Sequence, residues 1–370
     1  MLLVAFLLSL GLSLALAEVG ARLLRPQNLT GTWLQFSERG YKVNRAGCEV
    51  RHQFDGREVR YRFNAQGFRG PALREPPGRP RVMVLGDSFT FGFLLPEAST
   101  FVARMQELAD KQFGPDAAEL VNAGVGSWGA GDYVAFALDH AEESRPDTIV
   151  VFVNFDDARR STVSGLWALD EGGRLVRNDV RFSGWMPTLK ERLNRLPMYS
   201  WLLEHSHLAQ LARRAVIGVH DRQAGEQFAL PAPGSPQSAA DDQRRAEDAR
   251  RGVRLNQALF FRLASWCRER NIRLIAISTG FAQPADAEFG PILRAAPVNE
   301  LFAQQAGRMF ADFGVPYLDL APGLLDAGGG TLKPLRIDGD LHPNEAGAAA
   351  IAERAWPWLR DQLAQPRPQP

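Results

Sequence analysis

One serine, one histidine and one aspartate, in two short islands far apart in the chain, have the types and spacing to do chemistry. The first island is Val82-Met-Val-Leu-Gly-Asp-Ser-Phe-Thr-Phe-Gly92. Its apolar run, Val82–Leu85, reads as a buried strand, and Ser88 follows just past the strand end. A hydroxyl in that place attacks an acyl carbon if a base takes its proton. The competing reading is a helix cap, because Ser and Asp are favoured at helix N-termini. The second island is Asp338-Gly-Asp-Leu-His-Pro-Asn-Glu-Ala-Gly347. His342 precedes a helix and is the best candidate for the base. Asp340, two positions earlier, can meet the other imidazole nitrogen, fix the tautomer and stabilise the imidazolium. Taken alone, Asp340 or Asn344 is better explained as a cap of the last helix; together with the serine island, the catalytic reading is preferred. His52, His140, His205, His207 and His220 have no comparable neighbourhood.

Attack on an acyl carbon also needs donors for the developing oxyanion. The backbone N–H of Ser88 is one candidate. A second is Gly124 in Asn122-Ala-Gly-Val-Gly-Ser127, since glycine lets backbone come close to a substrate. An ordinary strand-to-loop turn is the alternative there. A third donor is the amide of Asn154, in Asn154-Phe-Asp-Asp157. Metal chemistry has little support: Asp338, Asp340 and His342 could ligate a cation, but no second cluster accompanies them. Gly124-Val-Gly-Ser127 lacks the lysine of a phosphate-binding loop. No metal and no cofactor is expected.

The elements that must position these residues follow from hydrophobic periodicity. Strands are expected at Arg81–Leu85, Glu119–Asn122, Thr148–Val153, Arg273–Ser278 and Val315–Leu320. Helices are expected at Ser99–Gln112, Asp132–Ser144, Leu255–Arg270 and Glu345–Leu363. This alternation predicts an α/β fold, with a parallel sheet covered by helices on both faces. Ser88, Gly124 and Asn154 then share one sheet edge. Residues 26–80 read as an irregular lead, with a turn at Asn64–Gly70 and a Pro/Arg/Glu-rich linker at Pro71–Pro80. Between Asp157 and Arg250 the alternation breaks. An insertion over about 158–250 is expected, mostly helical, with a basic, leucine-rich stretch at Pro187–Ile217 and a linker-like stretch at Ala229–Asp242. It reads as a lid, a partner surface or a membrane-apposed element. Residues 363–370 read as a tail.

Composition is that of a globular chain: 370 residues, 45% hydrophobic and 23% charged. A net charge of +1 predicts no nucleic-acid partner. Cys48 and Cys267 have no metal-ligand spacing, and whether they form a disulfide is left open. The apolar run Leu2–Ala17 suits a signal peptide, and Ala15-Leu16-Ala17 resembles a cleavage site. Its continuation, Glu18–Arg25, would complete a tilted membrane anchor. Residues 1–25 are therefore a signal peptide or an anchor, with the bulk of the chain exported to the cell envelope on the periplasmic side. Arg22 and Arg25, just after the run, oppose that orientation under the positive-inside rule.

The islands together resemble the SGNH, or GDSL-like, serine hydrolases. Gly86-Asp87-Ser88 resembles the nucleophile block, Gly124 in Asn-Ala-Gly the second block, and Asp340 with His342 the acid–base block. The likeness covers roughly residues 81–362. It implies a flavodoxin-like three-layer α/β/α sandwich and metal-free ester hydrolysis or acyl transfer. The apolar N-terminus and the Asn64–Gly70 turn are similar to membrane-anchored bacterial members. Two departures stand out. The third block usually reads Gly-x-Asn-Asp, which puts the family asparagine at Asp156 instead of Asn154. A carboxylate there repels an oxyanion unless protonated; if Asn154 takes the role, the strand end is shifted by two residues. The acid–base block more often has its Asp three positions before His, where this chain has Gly339; Asp338 is a weaker candidate than Asp340.

Three functions are expected from this resemblance. One is an exported or membrane-anchored serine esterase or deacetylase acting on an ester of a glycan or lipid. Another is an O-acyltransferase of a cell-envelope polysaccharide, with a protein partner delivering the acyl donor. The last is a non-catalytic binding module, which Asp156 favours.

Overall fold

The computed structural model describes residues 1–74, 79–115, 117–154, 156–179, 185–225, 239–281 and 296–366. The chain divides into two compact units. The larger comprises Leu34–Gly47, Arg62–Phe182 and Pro236–Pro370; the smaller comprises Met1–Trp33, Cys48–Tyr61 and Ser183–Ser235.

The larger unit is built on five strands: β1 (Arg81–Leu85), β2 (Glu119–Asn122), β3 (Thr148–Val153), β4 (Arg273–Ser278) and β5 (Tyr317–Asp319). All neighbours are parallel, in the order β2-β1-β3-β4-β5. Val84 of β1 sits opposite Asn122 of β2 on one side and Val150 of β3 on the other. Every residue of β1 and β3 is buried, as β-branched and apolar runs must be when helices cover both faces. Those helices are α1 (Phe101–Phe113), α2 (Ala130–His140), α3 (Asp157–Ser164), α4 (Ala239–Glu269), α5 (Pro297–Asp312) and α6 (Glu345–Ala364).

Alternate strand residues feed two cores. Met83, Leu85, Ile149 and Val151 pack with apolar residues of α2, α4 and α5. Val82, Val84, Val150 and Phe152 pack with those of α1 and α6. The result is a three-layer α/β/α sandwich of flavodoxin-like strand order. In such sheets the ligand crevice opens at the carboxyl ends of β1 and β3, where the strand order reverses. Ser88 follows β1 and Asn154 follows β3, so the topology delivers both to that crevice.

The smaller unit holds the apolar helix Leu2–Leu24, a two-stranded sheet of Glu49–Phe54 with Arg57–Arg62, and the helices Trp185–Asn194, Pro197–His205 and His207–Gly225. Residues 26–80, expected to be irregular, thus carry strands. They add a second pair, Leu34–Phe36 with Lys42–Asn44, in the larger unit. Their half-buried alternation is short and broken by turns such as Asp55-Gly56, which hides it from a periodicity reading. The stretch read as one insertion, 158–250, is shared between the units: α3, the hairpin Trp167–Leu169/Leu175–Arg177 and α4 belong to the larger. Most of the linker expected at Ala229–Asp242 lies outside the described residues, as do residues 75–78 of the Pro71–Pro80 linker and 367–370 of the tail. Neither Cys48 nor Cys267 is in a disulfide, so the pairing left open by the sequence is not formed. Burial pushes the Cys267 thiol up to about 12.

The start of α2 carries a buried charge. Asp132 accepts the Gly129 N–H (3.0 Å) and closes a capping box, yet it is 8% exposed. Burial pushes its carboxyl up to about 6, against the pull of the Gly129 N–H, Lys42 and Arg160. A carboxyl raised in the folded state stabilises most below its unfolded pKa and loses that contribution as pH rises through the folded one. Asp132→Asn keeps an oxygen for the Gly129 N–H and removes the charge. It is expected to raise stability at pH 8 by about 2 kcal/mol. The gain should fade as pH drops from about 6 towards 4, as urea denaturation at both ends of that window will read.

Candidate active site

The chain leaves β1 through a turn that only glycine fits. A Cβ on Gly86 would stand 2.0 Å from Thr90 Oγ1 and 3.2 Å from the Phe152 carbonyl oxygen. Asp87 then caps the single-turn helix Ser88–Phe91, its Oδ1 accepting the Phe89 N–H at 2.9 Å. The cap reading therefore belongs to Asp87, and the Ser88 side chain points elsewhere. At the other end of this turn Arg69, from the Asn64–Gly70 turn, donates to the carbonyls of Phe91 and Gly92 (both 2.5 Å) and of Leu95. A buried cation on the last carbonyls of a helical turn satisfies acceptors that would otherwise be orphaned. Asn64 shapes the Arg69 turn by accepting the N–H groups of Gln66 and Phe68, each at 3.0 Å.

His342 comes from a tight loop between a short 3-10 turn, Lys333–Leu335, and α6. The loop is closed by Ile337 N–H to the His342 carbonyl (3.0 Å) and Asp340 N–H to the Ile337 carbonyl (3.0 Å). Asn344 fastens it, donating to the carbonyls of Pro334 (2.9 Å) and Arg336 (2.8 Å) while capping α6 at Gly347 N–H (2.9 Å). From this loop His342 Nε2 lies 2.7 Å from Ser88 Oγ, and its Nδ1 lies 2.5 Å from Asp340 Oδ1. The rings of Phe89 and Phe93 flank the imidazole, with centroids 4.9 and 4.5 Å away. Burial works to raise the Asp340 carboxyl. The side-chain bond and charge of His342 and the N–H groups of His342 and Leu341 outweigh it and hold the group below the usual carboxylate range. Asp340 is thus an ionised acceptor for the Nδ1 proton. Asp338 is exposed and outside this relay.

The third strand end distinguishes Asn154 from Asp156. Asn154 is buried, and its Nδ2 donates to Asp87 Oδ2 at 2.7 Å while its Oδ1 accepts from Thr279 Oγ1 at 3.2 Å. The amide is oriented beside the nucleophile turn. Asp156 is directed to Arg159 (2.7 and 2.6 Å), Arg160 (3.1 Å) and Asn299 (2.9 Å). Burial alone would raise its carboxyl, but the Arg159 bonds, the Arg160 charge and Asn299 hold it below the usual range. A carboxylate so held has no proton to offer an oxyanion.

Gly124 reaches the same edge, and its backbone closeness is essential: a Cβ would stand 2.4 Å from Phe91 N. Its N–H, however, donates to Asn122 Oδ1 at 3.0 Å. Asn122 also donates to the Thr90 carbonyl at 2.8 Å, tying the Gly124 loop to the nucleophile turn.

Beneath these residues lies a buried charge cluster with no counterpart in the sequence reading. Asp87 Oδ2 accepts Arg160 Nη1 at 2.7 Å, and the same nitrogen donates to the Trp128 carbonyl at 3.0 Å. Asp157 Oδ2 accepts the Asn154 N–H (2.7 Å) and the Tyr133 hydroxyl (2.8 Å). Burial and the Asp87 charge push the Asp157 carboxyl well above its ordinary value. Asp87 was visible as the neighbour of Ser88; Arg160 and Tyr133 carried no signal, because their partners are distant in sequence.

Fold and sequence together define an ester-hydrolysing serine hydrolase. Residues 84–350 match the sequence model of the GDSL-like Lipase/Acylhydrolase family, and the chain belongs to that family. No curated protein matches it by sequence. Similar solved structures include a psychrotrophic esterase from Pseudoalteromonas sp., at 13% identity over 77% of this chain and 99% of that one, TM-score 0.43. An acetylxylan esterase from Geobacillus stearothermophilus is similar at 12% identity over 76% and 93%, TM-score 0.42. Another acetyl xylan esterase shares 15% identity over 75% and 99%, TM-score 0.40.

Arg160→Met leaves Asp87, which is fully buried, without its cation. Breaking such a pair from one side is expected to cost roughly 3–5 kcal/mol, read as a lowered denaturant midpoint.

Proposed function

We propose that this chain is a membrane-anchored serine esterase that releases acyl groups from an ester of an envelope glycan or lipid. The nucleophile is Ser88, the base His342, and the orienting acid Asp340. The relay carries this reading: hydroxyl, imidazole and ionised carboxylate stand in line at 2.7 and 2.5 Å. His342 Nε2 takes the Ser88 proton as Oγ bonds to the ester carbonyl carbon. Asp340 holds the Nδ1 proton and stabilises the imidazolium. The carbonyl oxygen becomes an oxyanion, received by the Ser88 N–H and the Asn154 amide. Gly124 N–H joins them when substrate displaces its bond to Asn122. Collapse breaks the bond to the alcohol, which leaves with the proton from His342. Water then attacks the acyl-Ser88 by the reverse sequence of proton transfers.

The anchor reading draws on the end of the apolar helix. Leu2–Leu24 is long and apolar enough to cross a membrane. Glu18, directly after the cleavage-like Ala15-Leu16-Ala17, accepts from Ser206 Oγ (2.7 Å) and from the N–H groups of His207 (3.0 Å) and Leu208 (2.9 Å). Arg22 donates to the His205 carbonyl at 3.0 Å. The last turns of the helix are part of the smaller unit's fold, which favours retention. An enzyme held there on the envelope side meets esters of glycans and lipids first.

A fluorophosphonate probe is expected to label the wild type and not Ser88→Ala. Asp340→Asn should slow labelling by roughly 10²–10⁴-fold, because the imidazole loses its orienting acceptor. Labelling that survives in Ser88→Ala, or a wild type left unlabelled beside a labelled control hydrolase, would sink the assignment.

A further inference from the structure

We propose that the helix Pro197–His205 is a membrane-surface foot, whose exposed apolar face lies in the headgroup–acyl boundary of the bilayer that the N-terminal helix enters. The inference rests on the anchor reading above and adds to it a second, peripheral contact with lipid.

The helix is amphipathic in the inverse of the usual sense. Met198 is 79% exposed, Trp201 59% and Leu202 42%, whereas Leu203 and Ser200 are buried. Positions 198, 201, 202 and 205 share one helical face. The opposite face is pinned: Ser200 Oγ accepts the Thr32 N–H at 2.9 Å. Rotating the helix to hide its apolar stripe would break this contact and expose Leu203.

The level of this face is set by the anchor. Glu18 and Arg22 are the first charges after the apolar Leu2–Ala17 run, so they mark where hydrocarbon gives way to headgroups. These two residues hold Ser206, His207, Leu208 and the His205 carbonyl. The C-terminal end of the foot is therefore fastened at the membrane boundary. Trp201 lies one turn back, its ring stacked on His205 with centroids 4.7 Å apart. An indole with one apolar and one polar edge suits that boundary. Lys190 and Arg192, exposed on the preceding helix, supply cations for anionic headgroups. An apolar stripe and an interfacial Trp fastened at the anchor's boundary, with exposed cations on the preceding helix, together select lipid as the occupant.

The test uses the full chain carrying Cys48→Ser, with a nitrobenzoxadiazole probe on Met198→Cys or, separately, on Leu8→Cys in the apolar helix. Each is reconstituted into phosphatidylcholine–phosphatidylglycerol vesicles with or without brominated acyl chains. Both probes are expected to be quenched about twofold by the brominated lipid. Quenching at position 8 without quenching at 198 overturns the foot and leaves the anchor standing. A blue-shifted but unquenched probe at 198 also overturns it, since the face would then be covered by protein. If neither probe is quenched, the anchor reading fails and takes the foot with it.

Discussion

Asp87 has no contact with solvent, and its two oxygens link three parts of the site. One oxygen accepts the Phe89 N–H of the Ser88–Phe91 turn, and the other takes both the Asn154 amide and Arg160. A carboxylate taken out of water is costly unless its lone pairs are filled by donors and a cation. Here that requirement fixes the geometry, because the donors come from the ends of β1 and β3 and from α3. The ends of the two strands cannot move apart without stranding a buried charge. The position of Ser88 relative to Asn154 is thus set by electrostatics below the site, and not by the reacting residues themselves.

The relay above depends on that floor. Ser88 can meet His342 only if its turn is held from both sides, by Asp87 at the start and by Arg69 at the end. The histidine loop is held independently, through Asn344 and α6. Two rigid supports built from remote parts of the chain therefore converge, with Phe89 and Phe93 limiting the imidazole's freedom. Held in this way, the groups meet with little entropy left to lose at the moment of reaction.

What the sequence made legible follows the same division. The strands β1, β3 and β4 were readable because continuous apolar runs end abruptly. The meeting of Ser88, His342 and Asp340 was readable because a hydroxyl, an imidazole and a carboxylate have distinct residue types. The short strands before residue 80 were missed because a three- to six-residue pair has too little periodicity to rise above its turns. The choice between Asn154 and Asp156 turned on where β3 ends. A displacement of two residues leaves the same strand face in place and exchanges an amide for a carboxylate, so no pattern could decide it. Their partners differ: Arg159, Arg160 and Asn299 draw Asp156 aside, while Asn154 donates to Asp87. Arg69 was beyond sequence reasoning for a related reason, since its partners are carbonyl groups, which every residue has.

The same partners resolve an electrostatic difficulty. Asp87, Asp156 and Asp157 crowd one end of the sheet. Two cations, Arg159 and Arg160, are hydrogen-bonded to this group. The shift of Asp157 relieves that crowding. Burial and the nearby Asp87 charge favour its neutral form, and its Oδ1 has no hydrogen-bond partner among the described residues. Its Oδ2 still accepts the Asn154 N–H and the Tyr133 hydroxyl, so neutrality costs it no structural role. The arginines are left to Asp87 and Asp156, while Asp157 joins the cluster through hydrogen bonds.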